Sequence, residues 1–283
     1  MLKAISAAVV LTVIITGCTA VEPPKNTAAD TGQEEKLESL RKQRDAVVKF
    51  FEPMRVRPGD WLDTQREQGE TFEEYISANP TLPIDDRWTI YIQPIGRFNS
   101  EQLAVIDKVA EYMRAFYSLP VRLNSAKPLG EVPFDKKRLI KYRNNLQINT
   151  SYFLDDLLPK LLPNDAAALI AFTNYDLYPE PTRAFVFGQA SLTKRTGVWS
   201  FYQFADPKTG RYDPKLMLER SLKIAMHETG HMFSMKHCTK YECLMSGTNH
   251  LAETDRRPLD NCPECMAASR HMVSRSSMVA SRS

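Results

Sequence analysis

The chain lacks an excess of charge of either sign. Its 37 Lys and Arg stand against 34 Asp and Glu over 283 residues, a formal net charge of +3. No aromatic-plus-basic patch accompanies those cations, so nucleic acid is not an expected partner. Beyond the first eighteen residues no apolar run approaches the ~20 residues that span a bilayer. There is no internal repeat and no regular alternation of strand and helix patterns, which argues against a doubly wound parallel sheet. Cysteine and histidine are scarce, five of each. That scarcity makes their crowding toward the C-terminal end informative. With 43% hydrophobic and 25% charged residues, the rest is ordinary globular composition, enough for one large domain with an appended subdomain.

The N-terminus, MLKAISAAVVLTVIITGC, runs from one lysine through an apolar stretch to small residues and Cys18. That is the three-part order of a secretory signal. Its end, Ile15-Thr16-Gly17-Cys18, resembles the bacterial lipobox, which implies a signal peptide over 1–17, cleavage before Cys18 and lipidation of that cysteine. A plain signal peptide with an incidental cysteine, or a retained anchor helix, is the alternative. The lipoprotein reading places the protein on the periplasmic or cell-surface side of a bacterial membrane, held through Cys18. Residues 18–36 are polar with two prolines and read as a flexible tether. Folded structure is expected from Leu37, and the Ser-, Arg- and Met-biased residues 267–283 are expected to fray.

Leu37, Leu40, Val47, Val48 and Phe51 recur at helical spacing and predict an amphipathic helix from Glu35 to Glu52. Residues 57–83, punctuated by Pro58, Gly59, Pro80 and Pro83, read as loop and short helix. Thr89 to Pro94 alternates as a strand should. Asn99 or Ser100 can cap a helix that buries Leu103, Ile106, Ala110, Met113 and Tyr117. A short strand near Val121, a helix from Ser151 to Leu162, and apolar runs at Ala168–Asn174, Ala184–Ala190 and Val198–Phe204 follow. The mixture predicts an α+β fold.

Asp213-Pro214 is a strong helix start, an N-cap oxygen followed by proline where its missing N–H costs nothing. On the helix expected over about 214–234, His227 and His231 are offset by about 40° and about 6 Å, so two imidazoles can reach one metal. His237 lies about 9 Å beyond His231 along a continuing helix, so the chain must turn back to bring it to the same ion. A catalytic zinc needs three protein ligands and an open position for water, whose pKa falls to about 7. Glu228, next to the first histidine, is placed to accept that water's proton and pass it to a leaving amine. The bland reading of the pattern H-E-x-x-H is a helix with two surface histidines, and the third histidine argues against it. Met245, eight residues after His237, is a candidate for the methionine floor under such a site, with an ordinary core methionine as the alternative.

Cys238, Cys243, Cys262 and Cys265 follow within 28 residues as C-x4-C and C-x2-C pairs, the spacing of a tetrahedral structural zinc site. In an exported protein two disulfides compete with that reading, and a redox pair is a third possibility. A disulfide within the C-x2-C pair would close only a tiny loop and stabilise little.

Together the two clusters make HETGHMFSMKHCTKYECLM, sixteen residues, then CPEC. The chain resembles the archaemetzincins, metzincin peptidases in which the third histidine is followed by four cysteines. The resemblance extends to PGDWL at 58–62, IYIQPIG at 90–96, NYDLY at 174–178, FVFG at 185–188 and GTNHLAETDRRPLDNCPEC before Met266. It implies a zincin-like fold: a twisted mixed sheet on helices, an active-site helix, and a C-terminal zinc subdomain at 238–266 within a catalytic domain spanning 37–266. It also implies two zinc ions, one catalytic on His227, His231 and His237 with Glu228 as general base, one structural on Cys238, Cys243, Cys262 and Cys265. Peptide hydrolysis, aminopeptidase-like in style, is the implied activity, with FVFGQA a candidate edge strand for substrate. His250 and His271 match no ligand position. The departure is Ser234, where the family pattern has a glycine. A non-glycine residue with positive φ costs about 1–2 kcal/mol, so a stability cost is expected there, or else a helix that ends one residue differently. A non-catalytic zinc- or peptide-binding lipoprotein that keeps the fold is the alternative function.

Overall fold

The computed structural model describes residues 28–84, 86–140, 144–206 and 208–274. The expected signal peptide and the lipobox-like end at Cys18 lie outside the described residues. By compactness the chain divides into residues 1–36 and 37–283. Helix α1 runs Ala28–Val47 and gives way to a 3₁₀ turn at Val48–Phe50. Residues 28–36, expected as tether, are thus helical. Their Ala, Gln, Glu and Lys are good helix formers, and composition alone did not separate polar helix from polar coil.

Two short helices follow, α2 at Trp61–Thr64 and α3 at Phe72–Ser77. Thr71 and Glu74 form a reciprocal capping box that starts α3, and Phe72 and Tyr75 are buried from it. Strand β1 (Thr89–Ile95) leads to α4 (Ser100–Tyr117), started by a second capping box between Asn99 and Gln102. The buried stripe of α4 carries Val105, Ile106, Val109, Ala110, Met113 and Tyr117, while Leu103, expected on it, is exposed. After β2 (Val121–Leu123) come β3 (Lys137–Ile140) and β4 (Asn145–Asn149), then a π-helical turn (Tyr152–Leu157) and α5 (Leu158–Leu161). The remaining strands are β5 (Ala166–Thr173), β6 (Asp176–Tyr178), β7 (Gly188–Ala190) and β8 (Thr196–Ser200). Of the run Ala184–Ala190, expected as strand throughout, only β7 is one.

The main sheet has the order β2-β1-β5-β8-β7, with the first four strands parallel and β7 antiparallel to β8 at the edge. β1 and β5 are buried along their whole length, as parallel strands covered on both faces must be. Ile90, Ile92, Ile170 and Phe172 pack into the larger core, and Tyr91, Ile95, Leu169 and Ala171 into the smaller one on the other face. A second sheet, β3-β4-β6, stands beside it.

The last helices among the described residues are α6 (Pro214–Met232), α7 (Leu251–Arg256) and α8 (Pro263–Ser274). The last corrects the expected fraying from residue 267. Ala267, Ala268, His271 and Met272 are buried, His271 meets the Phe72 ring edge-on at 6.3 Å, and Glu264 accepts the Phe72 N–H at 3.0 Å. Residues 275–283 lie outside the described residues.

Candidate metal centre

α6 begins as its sequence dictates, with Asp213 accepting the Leu216 N–H at 2.9 Å and Pro214 in the first turn. It ends in a paired motif: the Ser234 N–H donates to His231 O at 2.8 Å and the Met235 N–H to Gly230 O at 3.1 Å. That is the Schellman arrangement, which requires a left-handed residue just past the helix. Ser234 is that residue, with φ 68°. Its hydroxyl donates to Leu192 O at 2.6 Å and accepts the Thr81 N–H at 3.0 Å. A glycine would escape the strain and forgo both bonds, worth about 1 kcal/mol each. Ser234→Gly is therefore expected to be within about 1 kcal/mol of wild type. Ser234→Ala keeps the strain, strands the Thr81 N–H and loses about 1–3 kcal/mol in urea unfolding. An alanine variant as stable as wild type would contradict this.

The turn at Ser234 sends the chain back, and the side chains of His227, His231 and His237 come together, with ligand atoms within 4.8 Å of one another. Each ring is fixed from outside through Nδ1. That of His227 bonds Leu244 O at 2.9 Å, that of His231 bonds Met235 O at 2.6 Å, and that of His237 bonds the Glu67 carboxylate at 2.8 Å. All three partners only accept, so each Nδ1 carries the proton and each Nε2 presents a lone pair. The Nε2 atoms of His227 and His231 are 3.0 Å apart. Two lone pairs that close repel unless a cation lies between them. Zn–N bonds of 2.0–2.1 Å set tetrahedral ligands about 3.3 Å apart, so the trio fits zinc. Burial holds His227 well below the usual imidazole range and pushes His231 down to about 3, keeping both in the neutral form that ligates.

Glu228 is 5% exposed, its Oε2 has no hydrogen-bond partner, and burial pushes its carboxyl up to about 8. Gly188 on β7 lies over it so closely that a Cβ there would come within 2.6 Å of Glu228 Oε1. Met245 sits beneath Gly230, where a Cβ would come within 2.5 Å of the methionine sulfur. Met245 is therefore in contact with the helix turn between the two histidines, and Gly230 is what admits it.

The sulfurs of Cys238, Cys243, Cys262 and Cys265 form a second cluster, all buried and none in a disulfide. Cys238 and Cys262 Sγ are 3.6 Å apart, near the ~3.8 Å that Zn–S bonds of 2.3 Å imply. Backbone N–H groups of Cys262 and Met245 point at Cys243 Sγ at 3.1 and 3.4 Å, as they do toward a thiolate. Hydrogen bonds from the other thiols pull Cys238 far down, and burial pushes Cys243 well up. A third group, Asp60, His250 and Glu253, has other partners. Arg256 takes both Asp60 oxygens, Arg257 and the Trp61 and Asn249 N–H groups take Glu253, and His250 Nδ1 caps α7 through the Glu253 N–H. It is an ionic strut.

The histidines open into a cavity of about 780 Å³ whose walls include Trp61, Glu67, Phe187, Gln189 and Leu244. Two of its residues were missed in the sequence. Trp61 lay in a quoted segment without a role, and nothing in the charged run around Glu67 marked it as a histidine partner.

The model of Peptidase family M54 matches residues 89–271. The chain belongs to that family, the archaemetzincins. It is similar to archaemetzincin-2 of Macaca fascicularis, 34% identical over 249 residues that span 77% of this chain and 69% of the relative. It is also similar to the archaemetzincin of Pyrococcus abyssi, 32% identical over 180 residues, 62% of this chain and 92% of the relative. The crystal structure of the archaemetzincin from Methanopyrus kandleri superposes with a TM-score of 0.55 at 27% identity, covering 68% of this chain and 99% of that one. The mixed α+β architecture is accordingly an archaemetzincin fold, and this archaemetzincin is a zinc metallopeptidase. Trp61 and Glu67 stand ahead of the part the family model matches.

Proposed function

We propose that His227, His231 and His237 hold the catalytic zinc of this peptidase and that Glu228 is its general base. The observation that carries the reading is Glu228 itself. It is a buried carboxylate with an unpartnered oxygen, in the cavity where three Nε2 lone pairs converge. Zinc there would polarise a scissile carbonyl and lower the pKa of a water to about 7. A cation beside Glu228 favours its charged form over the protonated one that burial alone prefers. The free oxygen can then take a proton from the attacking water and return it to the leaving nitrogen. β7 is an edge strand whose Gln189 and Ala190 line the cavity, so substrate backbone would pair along it as an added strand. The four-cysteine cluster would hold a second, structural zinc.

Digestion of a diverse peptide mixture by the protein lacking residues 1–18 tests the reading. Cleavage that stops with a chelator and returns with zinc is expected, and the product ends distinguish removal of N-terminal residues from internal cleavage. Normal zinc content with no cleavage of any peptide would favour the non-catalytic binding role instead.

Among the described residues no helix is long and apolar enough to cross a membrane. We propose, from Ile15-Thr16-Gly17-Cys18 alone, that the mature chain is held at a bacterial membrane by lipid on Cys18. Labelled fatty acid should enter the wild-type protein and not Cys18→Ser; labelling of both would refute the anchor.

A further inference from the structure

His227 and His231 are oriented by backbone carbonyls of Leu244 and Met235, inside the same C-terminal motif. His237 is different. Its Nδ1 meets a carboxylate 170 residues away in sequence. Glu67 belongs to a loop that is stitched to the segment carrying His237 at every step. Gln68 O accepts the Thr239 hydroxyl at 3.1 Å, and Glu70 accepts the Lys236 N–H at 2.7 Å. Gly69, with φ 67°, lets the loop approach so closely that a Cβ would stand 2.5 Å from Thr239 Oγ1.

The carboxylate is itself held. Trp61 donates its indole N–H to the same Glu67 oxygen at 3.0 Å and meets the His237 ring edge-on at 5.2 Å. Trp61 is fixed in turn. Its backbone N–H donates to Glu253 at 3.0 Å, its ring lies where a Cβ on Gly247 would come within 2.5 Å, and the Arg183 guanidinium lies 5.3 Å from its ring centroid.

We propose that Glu67 is a positioning residue for His237, and that residues 61–70 are a clasp by which the N-terminal part of the chain completes the metal centre. The proposal rests on the reading of the histidine cluster as the zinc site. The carboxylate turns the ring so that Nε2 faces His227 and His231, and holds it there. Outer partners of this kind change metal affinity by about 10–100-fold when removed. His237 needs one most, because it lies beyond the helix and has no turn of its own to fix its ring.

The test uses the full chain and zinc alone. Competition with a chelator gives the zinc affinity of wild type, Glu67→Gln, Trp61→Phe and His237→Ala, and cobalt substitution gives a spectrum of the histidine site. Glu67→Gln keeps the side chain's shape and a hydrogen-bond acceptor but not the charge. Its zinc affinity should fall about 10–100-fold, its cobalt absorption bands should shift, and Trp61→Phe should fall less. The metal-free forms of wild type and Glu67→Gln should melt alike, which separates a metal effect from a folding one. Wild-type affinity and an unchanged cobalt spectrum in Glu67→Gln would overturn the clasp while leaving the zinc site in place. If His237→Ala binds zinc as wild type does, the reading of the site fails and the clasp with it.

Discussion

Glu228→Gln should bind zinc like the wild type and lose peptidase activity by about 10²–10⁴-fold, the usual contribution of a positioned general base. The substitution keeps the side chain's volume beneath Gly188 and removes only the ability to carry a proton. Glu228 ligates nothing in the histidine cluster, so metal content should not change. The loss should fall on kcat rather than KM, because a general base acts in the transition state and not in holding the substrate backbone. A variant with wild-type kcat would show that another group carries the proton.

The second large effect is expected at Cys243. It is fully buried, receives two backbone N–H groups, and is followed by Leu244, whose carbonyl fixes His227, and Met245, which floors α6. Cys243→Ser should therefore lose one zinc per chain and disturb the other site. Breaking a buried charged arrangement costs roughly 3–5 kcal/mol, which for a domain of this size lowers Tm by about 10–15 °C. Peptidase activity should fall with it, since Cys238 follows His237 directly in the chain. The competing disulfide reading predicts the opposite chemistry, with zinc content unchanged and one new free thiol in the denatured variant. Thiol titration with metal analysis separates the two.

How much of this was legible in the sequence varies by element. The helix carrying His227 and His231 was readable because every signal is local: Asp213 caps it, Pro214 opens it, and the histidine spacing matches its turn. The cysteine pairs were readable for the same reason. Ser234 could be framed only as a choice, because φ is not a property of one residue. The bonds to Thr81 and Leu192 that make a left-handed serine tolerable come from distant loops. The runs of β1, β5 and β8 were readable as strands, but their parallel pairing was not, since a strand's residue pattern does not name its neighbour. Residues 28–36 and 267–274 were misjudged because polar or low-complexity composition was taken as coil. α8 is held in place by Phe72 and Glu264 contacts that composition does not show. Glu67 gave no signal at all: in TQREQGE it is one charged residue among several, and its role appears only when the fold brings it to His237.

The most direct test of the account is anomalous diffraction from crystals of the zinc-loaded protein, recorded on either side of the zinc absorption edge. The account predicts one zinc peak bounded by the Nε2 atoms of His227, His231 and His237, with Glu228 beside it, and a second among the sulfurs of Cys238, Cys243, Cys262 and Cys265. Absence of a peak among the three histidines in zinc-loaded crystals would contradict it.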